Sequence, residues 1–336
     1  MKVFEIRDNF GIDNLVLAER PQPSPGHGQI LVKVRAVSVN YRDLLVVKGL
    51  YNPKLHLPLI PFSDGAGDVV AAGDGVSRVK VGDRVAAIFM QTWLSGELTE
   101  SNARSALGGG IDGMLAEYVV LHEDGVVHIP EHLSYEEAAT LPCAAVTAWN
   151  AVIEAGLKLG ENVLVLGTGG VSLFALQFAQ LAGANVIVTS SSDEKLMRAR
   201  QLGAKGCINY KKESDWDQRA RELTGGTGVD LVVEVGGAGT LTQSLKAVRP
   251  GGRISLIGVL TGTAGTINPL PIVMKKIRID GIFVGSREVF ESMNRAISLH
   301  RLHPVVDRVF SFEESGQALR HMESGTHFGK ICIKIA

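Results

Sequence analysis

NVLVLGTGGVSLFALQFA, residues 162–179, runs from a short apolar stretch through a glycine turn into a helical pattern. The apolar stretch is too short for a helix and suits a parallel strand covered on both faces. Beyond the turn, Leu173, Leu176, Phe178 and Leu181 recur near helical spacing. Strand, glycine turn and helix in this order suit a dinucleotide. Gly167 permits the tight turn, Gly169 lets backbone approach a pyrophosphate, and N–H groups at the helix start meet its charge. The expected cradle is Gly167, Thr168, Gly169, Gly170 and Val171. The third fingerprint position is Ser172 in place of glycine, a small residue where helix packs on strand. A glycine turn also occurs in α/β proteins that bind no nucleotide, so the surroundings decide.

Four further runs follow, NVIVTS (185–190), DLVVEVG (230–236), RISLIGV (253–259) and RIDGIFVG (278–285), with helical patterns between them. They predict an α/β fold with a doubly wound parallel sheet of Rossmann type. One helix opens in SSSDEKL, where Ser191 and Glu194 have capping-box spacing. An NAD-selective site places Asp or Glu near the end of the second strand to bind ribose hydroxyls. This chain has Thr189, Ser190, Ser191 and Ser192 there. Hydroxyls donate to a 2′-phosphate and Lys195 neutralises it, so NADP(H) is the expected cofactor. The competing reading is a serine-rich helix cap with Asp193 and Glu194 close by.

Residues 1–123 carry short β-type runs such as Ile30–Val37 and Asp68–Ala71, separated by turns rich in Gly and Pro. After residue 286 a helix is predicted over Phe290–Leu299 and a last strand over Lys330–Ile335. The expected division is a mostly-β domain at 1–123, a cofactor domain at 124–286 and a return to the first domain at 287–336.

The 336 residues are 45% hydrophobic, enough for a sizeable core. Lys plus Arg number 34 and Asp plus Glu 35. That balance gives no global reason to expect nucleic acid or an anionic membrane surface as partner. The opening MKVFEIRDNFG lacks a signal peptide's apolar core. Residues 162–192 hold no charge, but the glycine turn, Gln177, Gln180 and Asn185 break them up, so no membrane span is expected. The cysteines, Cys143, Cys207 and Cys332, form no CxxC pair. Neither a disulfide framework nor a structural zinc site is indicated, and a cytoplasmic location is expected.

VSVNYRDLLVVKGLY (37–51), PLIPFSDGAGDVVAAGDGVSRVKVGDRV (58–85), GGGIDGMLAEYVV (108–120), LPCAAVTAWNAV (141–152) and FVGSR (283–287) together resemble the medium-chain dehydrogenase/reductase superfamily nearly end to end. The resemblance implies a GroES-like, mostly-β catalytic domain and a Rossmann domain with the active site between them. Where zinc enzymes of the superfamily carry catalytic ligands, this chain has Asn40, Ser63 and Cys143; Met90–Asp112 lacks the structural-zinc cysteines. An amide and a hydroxyl beside one thiol do not hold tetrahedral zinc, so no metal is expected. Asp64 and His122 read as a turn residue and a surface histidine. The chain therefore resembles the quinone oxidoreductase branch, with its Asn–x–x–Asp pair at Asn40 and Asp43 and its G-x-Y at Gly49–Tyr51. Tyr210, within INY, and Lys195 match residues the branch sets near the 2′-phosphate. A tyrosine that some members carry is Leu45 here, which leaves the proton donor open.

The resemblance implies hydride delivery to a small-molecule substrate, a quinone or the activated C=C of an α,β-unsaturated carbonyl. Such an acceptor spreads the delivered charge itself, so the protein supplies orientation and donors for a developing enolate oxygen. Asn40 is the expected donor and Tyr51 a donor or proton relay. Thr147 is placed on the nicotinamide side, with Gly258, Val259, Phe283, Val284 and Gly285 about the carboxamide, at carboxyl ends of strands. Against these stand a turn cap for Asn40, a rim aromatic for Tyr51, and for Asp43 a structural partner of Arg42 or Arg84. Other readings are a zinc-free alcohol/aldehyde oxidoreductase and a non-catalytic NADPH-binding homologue. Arg278–Gly285 reads as an apolar edge strand, which together with the resemblance implies a homodimer or a tetramer of dimers; the competing reading is a monomer with Phe310–Ala336 folded back over that edge.

Overall fold

The computed structural model describes residues 1–262 and 264–335. Residues Met1–Val146 and Val284–Ala336 form one compact unit, and Thr147–Phe283 form the other. The first unit opens with the hairpin of β1 (Lys2–Ile6) and β2 (Leu15–Glu19). It continues through β3 (Gln29–Val39), β4 (Asp64–Ala72), β5 (Arg84–Ala87), β6 (Tyr118–His122) and β7 (Val126–His128). The second unit contains β8 (Asn162–Val165), β9 (Asn185–Ser190), β10 (Gly206–Asn209), β11 (Val229–Glu234), β12 (Val248–Leu256) and β13 (Arg278–Gly281). The chain then returns with β14 (Val306–Ser311) and β15 (Lys330–Lys334).

β3 is the spine of the first unit. The strands run β14-β15-β3-β4-β5-β7, with β6 also on β3. Gln29–Lys33 pair with β6 and Ala36–Val39 with β15, so one long strand serves two neighbours on the same edge. Ile331 stands opposite Val39, which brings Lys330 to the end of β3 where Asn40 follows. Ile30, Val32 and Val34 alternate inward and pack with Phe62, Leu115 and Phe310 in one core. Each such side chain stabilises by roughly 1.5–3 kcal/mol when fully buried.

The expected boundary at residue 123 falls too early. β7 pairs with β5, and the helix Tyr135–Ala139 packs on β3 and β4. Residues 124–146 therefore belong to the first unit; no break in composition marks position 123. At the far end the division lies at 283/284 instead of 286/287.

In the second unit the parallel strands run β10-β9-β8-β11-β12-β13. Winding goes one way from β8 to β10 and the other way from β11 to β13, so the direction switches between β8 and β11. That order is the doubly wound Rossmann arrangement. β10 was not among the expected runs, because Gly206–Asn209 is four residues long with a glycine and an asparagine at its ends. β13 ends at Gly281, four residues short of its expected end, and its outer edge has no strand among the described residues. The helix Asp193–Gln201 is capped by Ser192, whose hydroxyl accepts from Lys195 N–H at 3.3 Å. The Ser191–Glu194 box does not form, because Ser190 is still strand and Ser191 is spent in the turn. The helix near the C-terminus begins at Arg287, ahead of Phe290, since Ser286 accepts from Val289 N–H. Among the described residues no helix is long and apolar enough to cross a membrane.

Candidate functional site

The carboxyl end of β8 turns at Gly167, which has φ 75°. Its N–H donates to Thr189 Oγ1 at 3.2 Å, tying the turn to β9. Ser172 donates to Leu166 O at 2.7 Å, which pins the first turn of the helix Gly170–Leu181 to the strand exit. No side chain caps that helix at Gly169, and a Cβ there would meet nothing within 4 Å. Its first turn has no side-chain cap, which leaves those N–H groups to an anion.

Ser190 ends β9 and is buried; its hydroxyl accepts from Ser192 N–H at 3.3 Å, and its carbonyl from Tyr210 N–H at 3.1 Å. Tyr210 is exposed, and Lys195 lies in the first turn of the following helix. The ends of β8, β9 and β10 therefore gather Gly167–Val171, Ser190, Lys195 and Tyr210. Asp193, the nearest competitor for a ribose, is engaged by Lys212 at 2.5 Å and Asn209 at 2.6 Å. Those two contacts hold its carboxyl below the usual range.

Sequence reasoning missed Glu234. Fully buried at the end of β11, its carboxylate accepts from Gly236 N–H (2.8 Å), Gly237 N–H (3.1 Å), Thr240 Oγ1 (2.6 Å) and Ser244 Oγ. Gly258 presses on the same loop: a Cβ there would lie 2.2 Å from Val235 O. Val259 and Phe283 are exposed. Val284 is buried with φ 57°, a strained conformation for a β-branched residue, and Gly285 follows it. Thr147 is buried just past the π-helical turn Leu141–Ala145.

In the first unit a polar cluster is sealed inside the β-structure. Asn40 caps the helix Tyr41–Val47, its own N–H donating to Asp43 Oδ2 at 2.8 Å. Lys330 Nζ donates to Val39 O at 2.8 Å and to Asn40 Oδ1 at 2.5 Å. Asn40 Nδ2 donates to Ser63 Oγ at 3.4 Å, Ser63 donates to Asp64 Oδ1 at 2.7 Å, and Cys143 N–H donates to Asp64 Oδ2 at 3.1 Å. Lys330 is only 3% exposed and Asn40 7%, while Ser63 and Asp64 are fully buried. Burial raises the Asp64 carboxyl, with the Lys330 charge the strongest influence pulling it back. Burial also raises Asp43 to about 6 against the opposing charge of Arg42. The Cys143 thiol is pushed well above its usual range by burial and then by Asp64. Just ahead of Ser63, buried Phe62 has φ 72°. Glycine at 108 and 113 leaves it room: a Cβ would come within 2.5 Å of Phe62 N and 2.1 Å of Phe62 O.

Asn40 therefore lies within the cluster, but Tyr51 does not. Tyr51 follows the far end of the helix, half exposed, its ring centroid 5.2 Å from the Arg42 guanidinium carbon. Asp43 has Arg42 at 3.6 Å, whereas Arg84 donates to Leu133 O and Glu131 O instead. Asp64 is not the solvated turn residue expected; it is the buried end of the chain of hydrogen bonds. Lys330 was missed, being 290 residues from Asn40. The one signal in the sequence was a lysine opening the buried strand KICIK. The stretch Leu94–Gly110 includes the helix Glu100–Ala103, capped by Thr99, and is knit to its neighbours by Gln91 N–H to Ser105 O and Leu107 N–H to Phe89 O.

Two family models match the chain. The alcohol dehydrogenase GroES-like domain covers residues 26–131, and the zinc-binding dehydrogenase domain covers 170–299. A zinc-type alcohol dehydrogenase-like protein of Schizosaccharomyces pombe is 47% identical over 333 residues, 97% of this chain and 96% of that one. The crystal structure of a putative alcohol dehydrogenase from Sinorhizobium meliloti 1021 superposes with a TM-score of 0.93 at 44% identity, covering 99% of this chain and 98% of that one. A crotonyl-CoA reductase of Streptomyces avermitilis is 32% identical, covering 97% of this chain and 83% of that one. The chain belongs to the medium-chain dehydrogenase/reductase family of oxidoreductases.

Proposed function

We propose that the protein is an NADPH-dependent reductase delivering hydride to a quinone or to the activated C=C of an α,β-unsaturated carbonyl, without zinc. The observation that carries this reading is the buried chain Lys330–Asn40–Ser63–Asp64. The family and the names of relatives imply a catalytic zinc, and the residues at its expected place do not fit one. Asn40 Oδ1 is occupied by an ammonium and the Ser63 hydroxyl is spent on Asp64, which leaves Cys143 the one thiol at that place. Zinc takes thiolate, imidazole or carboxylate ligands, of which, among the described residues, only Cys143 and Asp64 stand here, and the buried Lys330 beside Asp64 opposes a dication.

The glycine turn and helix start suit a pyrophosphate, with Ser190, Lys195 and Tyr210 for a 2′-phosphate. Thr147, Gly258, Val259, Phe283, Val284 and Gly285 are assigned to the nicotinamide end. When bound, the dinucleotide supplies the hydride. Asn40 Nδ2 donates to the acceptor oxygen as charge develops there; Tyr51, outside the cluster, is the candidate donor or relay of the proton. A second reading, alcohol–aldehyde interconversion, is favoured by the names of the fungal and S. meliloti relatives. It lacks a Lewis acid to stabilise the alkoxide.

Exchanging Ser190→Asp tests the cofactor assignment. A carboxylate there repels a 2′-phosphate and accepts from ribose hydroxyls, so kcat/KM for NADPH relative to NADH is expected to fall about 100-fold. Equal KM values for both cofactors in the unaltered protein overturn it. We assign the protein to the cytoplasm, as an enzyme of small molecules. It is also proposed to be a homodimer. Among the described residues β13 has an open edge, and Leu270, Val273 and Met274 nearby in sequence are exposed. Pairing with a symmetry mate satisfies such an edge. β15 pairs with β3 of the first unit and so does not serve as its partner strand. Light scattering at micromolar concentration is expected to read about twice the 35.9 kDa chain mass; a monomer mass rejects the dimer.

A further inference from the structure

We infer that Lys330 is a positioning residue of the reaction: its ammonium, seated on the Asn40 side-chain carbonyl, fixes the amide so that Nδ2 is the atom offered to a substrate oxygen. This rests on the reading of Asn40 as donor. A primary amide is nearly symmetric in shape, and only its hydrogen-bond partners decide which end points where. Lysine is a donor without acceptor capacity, so the atom facing Nζ at 2.5 Å is the carbonyl oxygen. The opposite end is set as firmly. Ser63 donates to Asp64 and therefore accepts from Asn40 Nδ2.

The result is a line of hydrogen bonds with a cation at one end and a carboxylate at the other, all in one direction. Such a line polarises each member, and an ammonium on Oδ1 makes the Nδ2 hydrogens better donors. The contact to Ser63 is long, 3.4 Å, and uses one of the two Nδ2 hydrogens. The second lies toward the Asp64 carboxylate, which also accepts from Asn40, so a substrate oxygen takes the place of the long Ser63 contact. Register explains how Lys330 comes to be there: the Ile331–Val39 pairing sets it at the end of β3, where Val39 O holds a second ammonium hydrogen. A buried lysine is costly, and Asp64 close by compensates its charge.

The test is a kinetic double-mutant cycle on the full-length protein, with NADPH and an enone as probes. Expected for Lys330→Met is a kcat about 10- to 100-fold lower with the KM for NADPH unchanged, since one aligned donor is worth up to ~100–1,000-fold. In the Asn40→Ala background, Lys330→Met is expected to cost less than about threefold more, because Lys330 acts through Asn40. Lys330→Arg is expected to restore most of kcat, being another donor-only cation. Lys330→Gln, whose amide can present either end, is expected not to. If Lys330→Met fails to fold, the Arg and Gln variants carry the test. Equal losses from Lys330→Met in both backgrounds, or Gln as active as Arg, overturn the inference. If Asn40→Ala alone leaves kcat intact, the donor reading fails, and with it the ground for this one.

Discussion

Replacing Asn40 by alanine is expected to lower kcat for an enone about 100- to 1,000-fold while NADPH binding is retained. The size follows from where the amide sits. It is 7% exposed, so its donor is not diluted by solvent, and Lys330 and Ser63 hold it before substrate arrives. A donor already aimed at the atom where charge develops costs no reorganisation during the reaction. Asparagine also caps the helix Tyr41–Val47, and losing a cap costs about 1 kcal/mol of stability. Denaturation curves measured alongside the kinetics separate the two effects. A change in kcat of less than about threefold would leave Asn40 as a cap only.

The second large effect is expected away from the chemistry. Glu234→Ala removes an acceptor serving two backbone N–H groups and two hydroxyls, all at the exit of β11. Each buried donor left without a partner costs about 1–3 kcal/mol, so a loss of roughly 3–5 kcal/mol is expected after local rearrangement. Thr240 already has Gly237 O within 3.3 Å as a second acceptor, which keeps the figure below a simple sum. Glu234→Gln retains one carbonyl oxygen and is expected to cost about half as much. Denaturant midpoints followed by tryptophan fluorescence, to which Trp149 and Trp216 of the second unit contribute, measure both. An alanine variant within 1 kcal/mol of the parent would mean the loop finds water instead.

The Rossmann half of the fold was legible because its signals are local. A strand, Gly167 to Gly170 and a helix lie within eighteen residues, and the β-branched runs repeat the pattern. β10 escaped because four residues with two polar or glycine ends carry no periodicity, and the β13 boundary blurred because IFVG continues the apolar run beyond the pairing. The cap at Ser192 illustrates how three consecutive serines leave a one-residue ambiguity that only hydrogen bonding resolves. The polar cluster was half legible. Asn40, Ser63 and Cys143 could be placed by resemblance, but their partners could not. Lys330 reaches Asn40 only through the β15–β3 register, a pairing across nearly the whole chain. Asp64 looked like a turn residue because sequence gives its polarity and not its burial. Glu234 was hidden in an apolar run, DLVVEVG, where its polarity is answered by glycine N–H groups and hydroxyls.

The most direct measurement is turnover by exhaustively chelated protein, with zinc content determined on the same sample. Full NADPH-dependent reduction of an enone or quinone, at less than about 0.05 zinc per chain, is the expected result. One zinc per chain, with activity lost on chelation and restored by zinc alone, would contradict the account.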